Sequence, residues 1–233
     1  MRFLPPDITH QPLCVLHQEE SFVVVDKQPD FLSVPGRGPD LADCVVARVR
    51  ELFPAACGSL AAHRLDMETS GLMVLGLNPE AHRHLSLQFE QRRVRKTYVG
   101  LVEGMVEPDS GHVELAFRVD LDDRPRQILD PEHGKLGVTD WEVIERHADS
   151  TRLRFTPLTG RTHQLRVHAA HPEGIGHPII GDRLYGRPWP TVEIAQRSMD
   201  HRSDARMLLH STSLSFHHPV NDNWLEFEIS VPF

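Results

Sequence analysis

Three short clusters in this chain gather side chains able to do chemistry. The first is His63-Arg64-Leu65-Asp66, followed by Thr69-Ser70-Gly71-Leu72. It falls between a loop and a strand, where a rigid scaffold can present side chains to a ligand. Taken alone, Asp66 suits a nucleophile, a base, a turn cap or a surface charge. Arg64 suits an ion-pair partner, and Thr69-Ser70-Gly71 a turn. The second cluster is Gly160-Arg161-Thr162-His163-Gln164-Leu165-Arg166-Val167-His168. An arginine near a buried aspartate holds the carboxylate ionised, because opposite charge lowers its pKa. The same residues also read as a solvated basic helix start. The third is Arg92-Arg93-Val94-Arg95-Lys96-Thr97-Tyr98, with four basic residues among its first five. A basic patch beside an aromatic tracks a phosphate backbone and stacks a base. It equally suits a helix C-terminus, where cations are favourable.

The elements that must position these clusters are legible from periodicity. Ser21 to Asp26 is a β-branched run that reads as a buried strand. A loop with Pro29, Pro35, Gly36 and Gly38 follows. Leu41, Val45, Val49 and Leu52 recur at helical spacing, with Asp40 as the expected N-cap and Pro54 as the stop. Gly71 to Leu77 reads as a strand. Asn78-Pro79 then caps a helix whose apolar stripe is Ala81, Leu85 and Phe89. Further strands are expected over 97–102, 113–117, 139–144, 152–157, 207–216 and 224–229, with a short helix over 162–170. Strands outnumber helices, and many follow one another without a helix between. The expected fold is α+β: a mixed, largely antiparallel bent sheet with a few flanking helices. The longest irregular stretch is 186–206, and the strands after it must still complete the sheet. One domain over 1–233 is therefore expected.

Composition sets bounds. With 39% hydrophobic and 25% charged residues the 233-residue chain is globular, not disordered. No apolar window is long enough to span a membrane. The start, MRFLPPDITHQ, lacks the apolar core of a signal peptide, so a cytoplasmic location is expected. Cys14, Cys44 and Cys57 form neither a disulfide framework nor a zinc knuckle. The net charge of −8 points away from a dedicated nucleic-acid binder. Yet the basic residues comprise 22 arginines and only 3 lysines, and arginine carries the planar fork that matches phosphate and base edges. The 16 histidines include no HExxH, and His82/His84 and His163/His168 lack the spacing of helical ligand pairs, so no metal is expected.

The chain resembles the RluA-type pseudouridine synthases from about residue 22 to its end. The main signature is HRLDMETSGLMVLG at 63–76. It is joined in order by RKTYVGLVEG (95–104), GRTHQLRVH (160–168), GHPIIGDRLYG (176–186) and LLHSTSLSFHHP (208–219). The early VVVDKQPDFLSVPGR looks like the RluA subgroup, which lacks an N-terminal S4 domain, and none is expected here. The resemblance implies isomerisation of uridine to pseudouridine in RNA without cofactor or metal. It makes Asp66 the nucleophile, Arg166 its basic partner and Tyr98 the aromatic on the uracil. It makes Arg64 the residue that fills the space of the flipped nucleotide. His63, Thr69, Ser70, Gly71 and Leu165 become shaping and positioning residues, with His63 also at the RNA. Arg92, Arg93, Arg95, Lys96 and Arg161 are the expected RNA contacts. A 23S rRNA or tRNA anticodon stem-loop is the implied substrate, and a monomer is expected. A non-catalytic RNA-binding protein on the same fold, and a hydrolase using Asp66 with Glu68, are the alternatives. Gln28 and Asp30 stand where relatives usually read proline and glycine. Asp30 enters left-handed geometry less readily than glycine, so a different loop shape is expected there. Ser211 likewise replaces a more usual alanine.

Overall fold

In the computed structural model, residues 12–186 and 206–233 are described. The stretch 186–206, singled out above as irregular, lies almost wholly outside them. The chain divides into two compact units: residues 1–96 with 210–232, and residues 97–209 with 233.

The first unit carries β1 (Cys14–Gln18), β2 (Phe22–Lys27), β3 (Ser70–Gly76), β10 (Trp224–Glu228) and all but the first residue of β9 (Leu209–His217). Its helices are α1 (Val45–Leu52) and α2 (Pro79–Glu90). β1 pairs with β2 and β2 with β3, both antiparallel, with Phe22 opposite Gly76 and Lys27 opposite Gly71. β3 and β9 run parallel through Ser70–His210 and Gly71–Ser211, and β10 returns antiparallel on β9. Alternate residues of β2 and β3 feed different cores. Val23, Val25, Met73 and Leu75 pack with Val45, Val49 and Leu60. Phe22, Val24, Leu72 and Val74 pack with Leu85, Leu214 and Phe216. Both faces are covered, which is why these strands are continuous apolar runs rather than alternating ones.

The second unit orders its strands β4-β8-β7-β5-β6: β4 (Arg95–Glu103), β8 (Ser150–Pro157), β7 (Lys135–Arg146), β5 (Ser110–Val119) and β6 (Gln127–Leu129). All these pairs are antiparallel. α3 (Gln164–Ala170) buries Leu165, Val167 and Ala169 against Phe117, Trp141, Leu153 and Phe155. The α+β expectation therefore holds, with antiparallel pairing dominant. Two details differ. α1 starts at Val45, capped by Cys44 Sγ accepting the Ala47 N–H at 3.3 Å, because Pro39–Leu41 form a separate 3-10 turn that takes up Asp40. Asp30 takes the left-handed conformation (φ 57°) despite not being glycine.

His168 is fully buried on α3, and neither ring nitrogen has a hydrogen-bond partner among the described residues. Its ring meets Phe117 edge-on at 5.7 Å, and a β-carbon at Gly137 would lie 2.9 Å from its Nε2. Burial, assisted by the charge of His112, pulls its pKa down to about 4. A histidine depressed on folding leaves stability intact above its unfolded pKa of about 6.5. As pH falls below that value the unfolded chain takes up the proton first, and stability declines until the folded group titrates as well. The expected loss between pH 7 and 4 is up to ~3 kcal/mol from this residue. Urea midpoints across that range should show the decline, and His168→Gln should flatten its slope. An unchanged slope in the variant would remove His168 as its source.

Candidate active site

Asp66 lies half-buried in the irregular segment that leads into β3. Its carbonyl accepts the Thr69 N–H at 3.1 Å. Thr69 and Ser70 are buried, and Ser70 Oγ lies 2.8 Å from His210 Nδ1. Gly71 has φ 110°, and any β-carbon there would collide with the Ser211 backbone, so the β3–β9 crossing requires glycine. These three residues seat the end of the Asp66 segment against β9.

Lys27 ends β2 and is fully buried. Its Nζ donates to the carbonyls of Gln28 (2.8 Å), Phe31 (2.7 Å) and Met67 (2.9 Å). All three ammonium donors are thereby used, which offsets much of the cost of burying the group. Burial pulls its pKa down to about 7, opposed by the charges of Asp66, Glu68, Asp30 and Asp26, in that order. The largest opposing charge is therefore Asp66. Sequence reading assigned Lys27 no role; the available signal was a lone lysine closing an apolar strand.

The neighbouring side chains divide into inward and outward groups. His63 stacks on Phe89 of α2 at 4.3 Å, and its Nε2 accepts the Val74 N–H at 3.0 Å. Burial, and then the charge of Lys96, depress its pKa to about 3, so the ring is a neutral acceptor fixed to the fold. Arg64 is exposed and has no hydrogen bond or ion pair with any described residue. Arg92 and Arg93 are exposed just beyond α2, and Arg92 sits at φ 58°. Arg95 is exposed with its guanidinium over Trp224, 5.4 Å from the ring centre. Lys96 is half-buried, and burial lowers its pKa.

The remaining residues belong to the second unit. Tyr98 is half-buried on β4 opposite Phe155. Leu165 is buried in the core beneath α3. Arg161 Nε donates to the Leu136 carbonyl at 3.0 Å. Arg166 is fully buried and forms a two-pronged pair with Asp182, Nε to Oδ2 at 2.8 Å and Nη2 to Oδ1 at 2.7 Å. Oδ1 also accepts the Leu184 and Tyr185 amides at 2.9 and 3.0 Å. Burial pushes the Asp182 carboxyl up, but the Arg166 hydrogen bonds and charge and the two amides outweigh it, leaving the pKa below the usual range. The Tyr185 hydroxyl accepts the Gln127 N–H at 2.7 Å and lies 2.9 Å from His163 Nδ1. Asp182 and Tyr185 fall in the GDRLYG motif quoted above, where nothing in the spacing revealed their partners. Among the described residues, no cluster of His, Cys, Asp or Glu could hold a metal ion.

Residues 21–171 match the family model for RNA pseudouridylate synthase. The chain is 39% identical over 232 residues to the dual-specificity RNA pseudouridine synthase RluA of Pasteurella multocida, covering 99% of this chain and 98% of that protein. It is 40% identical over 222 residues to the protein of the same name from Escherichia coli K12, covering 95% and 94%. Human RNA pseudouridylate synthase domain containing 1 superposes with a TM-score of 0.71 at 29% identity, covering 95% of this chain and 84% of that one. An aspartate loop held by a buried lysine, an exposed arginine beside it and full-length likeness to these enzymes agree: the chain belongs to the RNA pseudouridylate synthase family, as an enzyme of RluA type that isomerises uridine in RNA.

Proposed function

We propose that the substrate is a stem-loop of 23S rRNA, a tRNA anticodon arm, or both, and that Asp66 is the nucleophile acting on a flipped uridine. The observation that carries this reading is an exposed Arg64, with no hydrogen-bond or ion-pair partner among the described residues, close in sequence to an Asp66 whose main chain is held in place. An exposed guanidinium can stack where a base has left the helix. Flipping costs roughly a few kcal/mol, which such a contact helps offset. Attack by the Asp66 carboxylate allows the glycosidic bond to break. The uracil turns, C5 bonds to ribose C1′, the bond to Asp66 breaks to return the free carboxylate, the C5 hydrogen leaves as a proton and N1 takes one up. The buried Lys27 ammonium supplies counter-charge beside Asp66. The resemblance assigns Arg166 and Tyr98 to the same reaction, Arg166 as a cation and Tyr98 against the uracil. His63, with its ring fixed on Phe89, acts by shaping the segment. The names of the bacterial relatives, which call them dual-specificity enzymes, favour more than one RNA. The test is tritium release from C5-labelled uridine in separate rRNA and tRNA transcripts; release from neither would overturn the substrate assignment.

Arg92 gives a test with effects of opposite sign. An arginine in left-handed geometry after a helix costs roughly 1 kcal/mol relative to glycine. If its side chain is kept there to meet phosphate, Arg92→Gly should raise stability by up to ~1 kcal/mol. The same change should weaken RNA binding and reduce the salt slope by about 1. Unchanged affinity and slope would dismiss Arg92 as an RNA contact.

A further inference from the structure

Ser33 is buried (4% exposed), and its hydroxyl engages both polar backbone groups of one residue. Oγ donates to the Leu65 carbonyl at 2.7 Å and accepts the Leu65 N–H at 3.1 Å. Leu65 belongs to no helix or strand, so these two bonds stand where a ladder partner would be. Burial alternates through the segment: Arg64 is exposed, Leu65 buried and Asp66 half-buried. Fixing the N–H and the carbonyl of Leu65 constrains the two peptides that join it to Arg64 and to Asp66. The far flank is held from the same stretch of chain, since Met67 O accepts the Phe31 N–H at 3.1 Å and Lys27 Nζ at 2.9 Å. Asp66 thus sits between two anchor points, both supplied by residues 27–33.

We infer that Ser33 is a positioning residue for the isomerisation, setting the Leu65 peptide and so the direction in which Arg64 and Asp66 leave the segment. The inference rests on the reading of Asp66 as nucleophile. Without the hydroxyl, two buried backbone groups lose their partners, and the peptide is free to turn towards others. Displacement of a reacting group by about 1 Å can cost roughly 100-fold in rate.

The test measures kcat, KM for RNA and Tm for the wild type, Ser33→Ala, Ser33→Thr and Ser33→Cys, well below every Tm. The expected result is a fall in kcat of about 10- to 100-fold in Ser33→Ala. Ser33→Thr, which retains the hydroxyl, should recover most of the rate. Should Ser33→Ala fail to fold, Ser33→Cys, with its weaker donor and acceptor, is expected to fall between wild type and that loss. A lowered Tm with wild-type kcat in the variants that fold would overturn the inference. So would equal losses in Ser33→Thr and Ser33→Cys. Asp66→Ala in the same series separates the two readings: turnover by that protein would sink the nucleophile assignment, whatever Ser33 does.

Discussion

With Asp66 as the proposed nucleophile, Asp66→Ala is expected to release no tritium from C5-labelled uridine in RNA, a loss of at least ~10⁴-fold, because removing a nucleophile removes the route and not merely its efficiency. The assay counts turnovers directly, since the bond to C5 forms only as its hydrogen departs. The fold should survive. Asp66 is half-buried and outside any helix or strand, and its carbonyl, which alanine retains, still accepts the Thr69 N–H. A change of roughly 1 kcal/mol in stability is the ordinary scale for such a site. RNA affinity should hold within about threefold, because phosphate contacts supply most of such affinity and the proposed ones lie on cations elsewhere. Asp66→Asn provides a control of nearly equal volume. Residual turnover by either protein would refute the nucleophile. A protein that folds but no longer binds RNA would place Asp66 in recognition instead.

What could be read from the sequence was what depends on near neighbours. β2, β3 and α2 announce themselves by apolar run, by stripe and by the Asn78 cap, whose Oδ1 accepts the Ala81 N–H at 2.9 Å. β1 and β6 were not legible. β1 alternates exposed and half-buried residues, and β6 has only three residues. Strands of that kind carry little local signal and are fixed by their partners. Asp30 shows the limit of a propensity argument: the surrounding loop over-determines its left-handed backbone. The roles of Lys27, Ser33 and Asp182 were hidden for a related reason. Lys27 meets Met67 forty positions on, Ser33 meets Leu65 thirty-two on, and Asp182 meets Arg166 sixteen back. No periodicity joins such pairs. The RLD and GRTHQLRVH motifs point to Asp66 and Arg166, but only the fold shows what holds each of them.

Asp182→Asn is the substitution expected to cost the most stability. Both side chains of the Arg166–Asp182 pair are fully buried, so neither charge can be relieved by water. Asparagine keeps one acceptor, which can serve the Leu184 and Tyr185 amides as Oδ1 does now. Its amide nitrogen, however, would face the Arg166 Nε–H that Oδ2 now accepts, setting donor against donor. Removing one partner of a buried pair typically costs ~3–5 kcal/mol, because the other charge remains desolvated. The damage should spread along α3. Tyr185 lies in the turn that Asp182 closes, and its hydroxyl meets His163 at the helix start. Arg166→Lys should be nearly as harmful, since an ammonium retains the charge but not the fork. Urea titration of both variants reads the loss, and tritium release at low temperature, where folded protein persists, reads whether Arg166 still acts. Destabilisation with full activity per folded molecule would make the pair purely structural. Stability within ~1 kcal/mol of wild type would mean that Arg166 finds compensation elsewhere. If both quantities fall together, Asp182 holds the arginine that the reaction needs, and the GDRLYG turn serves the chemistry through it.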